Sequence, residues 1–254
     1  MDLATLMGLV MAVGAIGAAY ILEGGNPDAI FLTAPLLIVV GGTLGATTIT
    51  TSIRTVIQVP TFMRLAFFGR PHHANETIDR IVRLAEKARR DGILGLERTL
   101  ETIGNPFFRK AVQLVIDGTE VTVLREILET EIAYIEERHR KGIAFFKKAG
   151  GFAPTMGILG TVLGLIHALS DTSDASRMAG SIAGAFIATL WGVGLANLFF
   201  LPISDKLQMR HEEELAHLEL ILEGVIALQS GDTPRNVRTR LVGFVAPRHR
   251  HQEL

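Results

Sequence analysis

Thr161 and Thr189 are the side chains best placed to do chemistry, because each puts a hydroxyl in the middle of a long uncharged stretch. A threonine oxygen can ligate a cation or hydrogen-bond a carboxyl group. Around Thr161, the residues Pro154, Gly157, Gly164 and Ala168 recur at spacings of three and four, which on a helix sets them on one face with almost no side-chain bulk. Ser181, Ala185 and Gly192 repeat the arrangement around Thr189. Such a face has two readings, and both stay open here. It packs closely against another helix, as Gly160-xxx-Gly164 and Gly180-xxx-Gly184 suggest. Alternatively it receives a partner helix carrying an acidic group, with the threonine oxygens serving as ion ligands or hydrogen-bond partners.

Other reactive groups are sparse. His167 is the one titratable residue near the end of an apolar stretch and reads as an interfacial or packed histidine. Asp171-Thr-Ser-Asp174 reads as a solvated turn, and the His72-His73 pair and Arg248-His-Arg-His251 read as exposed polar residues rather than metal ligands. The absence of cysteine removes disulfides, thiolate nucleophiles and cysteine-held metals. No Walker loop, Gly-x-Ser-x-Gly elbow, His-Glu-x-x-His or dinucleotide fingerprint occurs. No enzymatic activity, catalytic residue, metal or cofactor is therefore expected. A net charge of -1 gives no reason to expect nucleic acid as a partner.

The stretches that carry these residues belong in a membrane. Of the 254 residues, 48% are hydrophobic and only 20% charged, and the mean hydropathy is +0.34. Four uncharged windows, Leu3 to Leu22, Ala29 to Ile53, Ala149 to Leu169 and Met178 to Ser204, each reach the roughly 20 residues needed to cross a bilayer core as a helix. Helix is required because lipid offers no partner to an unpaired backbone amide. The first window lacks a basic n-region and a clear processing site, so it reads as a retained span rather than a cleaved signal. Of the 25 basic residues, 24 lie between Arg54 and Lys148 or after Ser204, and only Arg177 lies in a short connection. The positive-inside rule makes the basic side cytoplasmic, with both termini there.

The segments between the spans show helical periodicity. Ile78, Ile81, Val82 and Ala85 mark a helix over Glu76 to Arg90 that Gly92 stops. A short helix follows near Leu94 to Thr102, and Asn105-Pro106 starts another that runs to Ile116. From Val123 the pattern continues without a breaker into the third span. The fourth span continues past Pro202 with Leu215, Leu218, Ile221, Leu222 and Val225 as an apolar face. The expectation is an all-α polytopic membrane protein: transmembrane helices one and two in 1–53, a helical cytoplasmic domain in 54–148, helices three and four in 149–204, and a cytoplasmic helix and tail in 205–254.

None of the four windows has an acidic or basic residue in its interior. A pump that works alone should carry at least one, since ionisable groups in a bilayer mark ion pathways.

Several motifs together resemble one family, the larger subunit of bacterial flagellar motor stators, MotA/PomA, within the wider group that includes ExbB and TolQ. They are Met1-Asp-Leu-Ala-Thr-Leu-Met-Gly-Leu9, Leu37-Ile-Val-Val-Gly-Gly-Thr43, Ala88-Arg-Arg-Asp-Gly-Ile-Leu-Gly-Leu-Glu97, Ala153-Pro-Thr-Met-Gly-Ile-Leu-Gly-Thr-Val-Leu-Gly-Leu165, Ala183-Gly-Ala-Phe-Ile-Ala-Thr-Leu-Trp-Gly192, Leu201-Pro-Ile-Ser-Asp-Lys-Leu207 and Ala227-Leu-Gln-Ser-Gly-Asp-Thr-Pro-Arg235. The long insert before the third span favours a flagellar stator over an ExbB- or TolQ-like energiser.

The resemblance implies a homopentameric ring in the bacterial inner membrane, set around two copies of a single-span MotB/PomB-like subunit whose aspartate carries the ion. It implies that Pro154, Thr161, Thr189 and Pro202 lie along the ion path and partner-helix face, to which the small-residue pattern adds Gly157, Gly164, Ser181 and Ala185. It also implies that Arg98 contacts the rotor switch protein FliG, with Glu97 and Glu101 the nearest acidic companions. The ion stays open between H+ and Na+: Thr161 resembles sodium-type members, and Ala188-Thr189 resembles proton-type ones.

Overall fold

A computed structural model describes residues 3–68, 73–170 and 174–245, and every regular element among them is helical. The first apolar helix, Leu3–Leu22, is stopped by Glu23 and Gly24; Gly24 adopts φ 81°, and the amide of Gly25 donates to the Tyr20 carbonyl. Asn26 caps the next turn through its side-chain oxygen. The second apolar helix covers Thr33–Ile49, shorter at both ends than the window read from the sequence. Polar and cyclic residues account for the difference. Pro27 opens a separate 3₁₀ turn, Thr50 and Thr51 turn their hydroxyls back onto the Thr47 carbonyl, and Ser52 caps a new helix, Ile53–Ile57. Within Thr33–Ile49, residues Leu37–Gly41 form a π turn.

The last two apolar stretches continue into polar sequence without a break. Val121–Ser170 is one helix of 50 residues and Ala175–Gln229 one run of 55, the latter containing a π turn at Ala196–Phe200. Among the described residues, three helices are long and apolar enough to cross a membrane: Leu3–Leu22 and the apolar parts of these two. The protein is thus a membrane protein of the all-helical class.

The chain divides into two compact units, Met1–Gly69 with His139–Arg210 and Arg70–Arg138 with His211–Leu254. In the first, Phe145, Phe146, Ala149 and Ala153 pack with Ala196, Phe200 and Ile203, and Ala66 of the helix Val59–Phe68 joins them. Two connections tie this unit across long sequence gaps. Lys148 Nζ donates to the Thr50 carbonyl at 2.9 Å, and Ser204 Oγ donates to the Ile143 carbonyl at 3.2 Å.

The second unit has its own core. The helix Ala74–Asp91 buries Ile78, Ile81, Val82, Leu84 and Ala85, and ends at Gly92, whose φ of 79° is a conformation glycine adopts readily. The segment Ile93–Thr102 is a 3₁₀ helix rather than an α-helix, held by the fully buried Leu96. Asn105 caps Pro106–Ile116, which buries Phe107, Phe108, Ala111, Val112 and Val115. Leu218, Ile221, Leu222 and Val225 complete the core as their periodicity predicts, whereas Leu215, one turn earlier, is only partly buried and lies outside it.

On the surface of this unit, Glu223 accepts hydrogen bonds from Arg125 at 2.9 Å and Arg240 at 2.5 Å. Burial pushes the Glu223 carboxyl up, but the two guanidinium groups outweigh it and hold the group below the usual carboxylate range. This interaction stabilises the unit above the ordinary carboxylate range and is lost as pH falls through the depressed value. Glu223→Gln is therefore expected to cost about 1–3 kcal/mol near neutral pH. Thermal unfolding in detergent should show the gap between wild type and variant closing as the pH is lowered; an equal gap at neutral and acid pH would mean that the charge contributes nothing.

Candidate functional site

The candidate site lies where Val121–Ser170 and Ala175–Gln229 meet inside the first unit. Glycine allows the two backbones to approach. A Cβ on Gly192 would sit 2.7 Å from the Ala153 carbonyl oxygen and 2.9 Å from Gly157 Cα, and one on Gly157 would sit 2.9 Å from the Ala188 carbonyl oxygen. Further along, Gly160 faces Ala188, and Gly164 faces Ala185, at 2.6 Å and 2.8 Å from a notional to a real Cβ. Gly157, Gly160, Ala185, Ala188 and Gly192 are all buried in this seam.

The two threonines meet at the same seam. Thr161 Oγ1 lies 2.5 Å from Thr189 Oγ1 and 3.0 Å from each of the Gly157 and Ala185 carbonyl oxygens. A hydroxyl has one proton to donate, and carbonyls only accept. Thr161 has a proton for one of these three oxygens, and either hydroxyl can be the donor between the two threonines. The Thr189 oxygen keeps lone pairs for a further partner. Both threonines are half-buried, so the pair is reachable from the margin of the seam. Chemically this is an acceptor site in an uncharged setting, able to ligate a small cation or to take a hydrogen bond from a protonated carboxyl.

The other predicted residues spread over several places. Gly157, Gly164 and Ala185 join Thr161 and Thr189, but as the packing surface between two helices of the same chain. Pro154 lies inside Val121–Ser170, one turn before Gly157. Ser181 lies apart from the threonines and lines a recess of about 350 Å³ with His167, Arg177 and Met178. Asp174 caps the following helix by accepting from the amides of Ser176 and Arg177, consistent with a turn; its neighbours 171–173 lie outside the described residues. Pro202 is exposed and lines a groove with Gly8 and Phe67. Glu97, Arg98 and Glu101 lie exposed together on the 3₁₀ segment Ile93–Thr102 of the second unit. His73 caps the helix Ala74–Asp91 without a side-chain bond, while His72 and Arg248–His251 lie outside the described residues. Among the described residues no cluster of histidine and carboxylate groups could hold a metal.

Sequence reasoning missed two supports of the site. Trp191 Nε1 donates to the Ile30 carbonyl at 2.7 Å, and its ring packs on Phe31 with centroids 5.4 Å apart, fixing the connection after the first helix beside the Thr189 turn. An indole N–H in an apolar stretch needs an acceptor, and that was the available signal. Met156 packs over Gly42 so closely that a Cβ there would lie 2.8 Å from its sulfur.

The site is a hydroxyl pair in a glycine-closed seam between the uncharged parts of two long helices of a membrane protein. Residues 99–220 match the MotA/TolQ/ExbB proton channel family, and residues 6–92 match the motility protein A N-terminal family. Motility protein A of Helicobacter pylori is 35% identical over 97% of this chain and 96% of its own length. The solved structure of C. jejuni MotAB superposes with a TM-score of 0.92 at 31% identity, covering 100% of this chain and 99% of that one. The flagellar MotAB stator complex from Bacillus subtilis gives 0.89 at 31% identity, over 96% of both chains. The chain belongs to the motility protein A branch of the MotA/TolQ/ExbB proton channel family.

Proposed function

We propose that this protein is the larger, ion-conducting stator subunit of a bacterial flagellar motor, coupling ion flow to torque on the rotor. The observation that carries the reading is the pairing of an uncharged, hydroxyl-bearing seam with full-length similarity to chains of MotAB stator complexes. The match to the motility protein A N-terminal family over residues 6–92 favours a flagellar stator over an ExbB- or TolQ-like energiser.

In this reading the missing carboxylate comes from a single-span MotB/PomB-like partner, whose aspartate is loaded with H+ or Na+ beside Thr189. Five copies of the present chain ring two copies of that partner. Thr33–Ile49 serves as a further span, short for the bilayer at about 25 Å of helix, which makes four spans in the inner membrane with both termini cytoplasmic, as the basic residues favour. Ion loading neutralises the aspartate and lets the ring step around the dimer. A charge crossing about 150 mV releases roughly 3.5 kcal/mol, enough to bias each step.

Expression with its single-span partner in a strain lacking its own stator tests the proposal. Restored swimming supports it, and failure of a correctly inserted complex to restore any rotation sinks it. Swimming speed against sodium concentration at constant proton-motive force separates the two ions.

The rotor contact is tested independently. Arg98 is exposed and the segment holding it is anchored by Leu96, so Arg98→Glu should leave folding intact. Reversing a charge at a contact rim chiefly weakens encounter and register. Swimming at low stator expression should fall by about threefold or more, and unchanged swimming under those conditions would count against a rotor contact at this position.

A further inference from the structure

Beyond the seam, the first unit carries a second concavity. Thr5, Gly8, Leu9 and Ala12 of Leu3–Leu22 form one wall, Ala66 and Phe67 of Val59–Phe68 close one end, and Leu198 to Met209 form the opposite wall, together enclosing about 410 Å³. That volume lies within the range of small-molecule sites, about 300–1,000 Å³. The lining is overwhelmingly apolar. Its charged members, Asp205 and Lys206, are adjacent in sequence and stand where the apolar part of Ala175–Gln229 gives way to polar sequence. The groove is thus amphiphilic, with mainly hydrocarbon walls, a polar Asn197 two turns before the charged residues, and one acid and one base side by side in the stretch 205–209.

The first helix leaves this space open rather than filling it. None of its 18-residue membrane window is buried within the chain, and a Cβ on Gly8 would meet nothing within 4 Å. The polar side chains of the lining are few, Thr5, Asn197, Asp205 and Lys206, so water filling the space would face hydrocarbon over most of its wall. An apolar membrane helix seated here would offer no polar group to either member of the acid–base pair. A phospholipid matches both parts: acyl chain to the apolar walls, and a head group carrying an anion and a cation to Lys206 and Asp205.

We propose that this groove is a binding site for one zwitterionic phospholipid of the ethanolamine type, its phosphate beside Lys206 and its ammonium beside Asp205. The bound acyl chain lies against Pro202 and Phe199, so it fills the side of the helix that the protein itself leaves unpacked below the π turn. The assignment goes beyond the motor function and does not depend on which side of the membrane the groove faces.

The full chain in its membrane assembly, reconstituted in vesicles of phosphatidylethanolamine and phosphatidylglycerol with probe in both leaflets, provides the test. In parallel samples a diazirine is carried on the acyl chain of one lipid or the other. After irradiation, the ethanolamine probe should label the peptides around Gly8 to Ala12 and Phe199 to Met209 at roughly tenfold the density on the rest of the apolar surface, and the glycerol probe clearly less. Gly8→Phe, which adds bulk where nothing opposes it, should remove that enrichment while leaving the assembly's size unchanged. Lys206→Gln should weaken it by about tenfold, as expected for loss of a charge-assisted bond to phosphate. Even labelling over the whole surface, equal labelling by the two probes, or full labelling of Gly8→Phe would each overturn the proposal. So would a cross-link from a cysteine placed at Ala12 to a neighbouring copy of the chain, which would make the occupant a protein helix; the natural absence of cysteine makes that experiment clean.

Discussion

Gly192→Ala is expected to destabilise the membrane unit by about 1–3 kcal/mol, the usual cost of forcing a methyl into a filled space. The reason is the identity of the neighbours. The added carbon would lie 2.7 Å from the Ala153 carbonyl oxygen, 2.9 Å from Gly157 Cα and 3.2 Å from Gly157 N, all backbone atoms that cannot rotate aside. Relief requires the two helices to move apart, and that movement separates Thr161 from Thr189. Gly192→Val should go further and abolish motility with much reduced membrane levels. Two residues along the same helix, Gly194 has nothing within 4 Å of its notional Cβ, so Gly194→Ala should leave the unfolding temperature of the isolated chain nearly unchanged. Equal effects at 192 and 194 would mean that the seam is not the tight contact described.

The second large effect is expected at Thr189. Thr161 has carbonyl acceptors of its own, so Thr189→Val removes a hydroxyl without opening the seam. If Thr189 only packs, the change costs little, since an intramembrane hydrogen bond averages about 0.6 kcal/mol. If its oxygen serves a buried ion or carboxyl, the loss is that of an unsatisfied group, about 1–3 kcal/mol, which is up to about a hundredfold in ion occupancy. Thr189→Ser keeps the oxygen. The expected order of swimming is wild type, then Ser, then Val, at equal membrane levels for all three. Equal swimming by the Ser and Val variants would make Thr189 a packing residue.

Local signals in the sequence were legible, whereas contacts between distant segments were not. The helix Ala74–Asp91 and its stop at Gly92, and the start of Pro106–Ile116 at Asn105, follow from capping and periodicity, which act within a few residues. The paired positions Thr161 and Thr189 were legible because each puts its hydroxyl at mid-depth of the third or fourth span, on a face of otherwise small residues. What those residues touch was not. A face of small residues looks the same whether it meets a helix of its own chain or a foreign one, and only the folded arrangement assigns Gly157, Gly164 and Ala185 to the internal seam. Ser181 and Pro202 lie in the same spans as the threonines yet line separate recesses, since small or hydroxyl character does not fix direction around a helix. The shortened second helix was hidden because Thr50, Thr51 and Ser52 are uncharged and count as spanning residues, although their hydroxyls end the helix.

The π turn at Ala196–Phe200 bears on how the chain tolerates change in length. A π turn is an α-helix holding one residue more than its ladder needs. Removing a single residue there would let the ladder close as uninterrupted α-helix while everything downstream keeps nearly its present direction around the axis. The face of Pro202, Asp205 and Lys206 would stay beside Gly8, and Thr189, upstream, would keep its place. Removing a residue from a regular part of the same helix would instead turn everything downstream by about 100°. The last long helix thus has, between the seam and the groove, one point at which a one-residue deletion is absorbed.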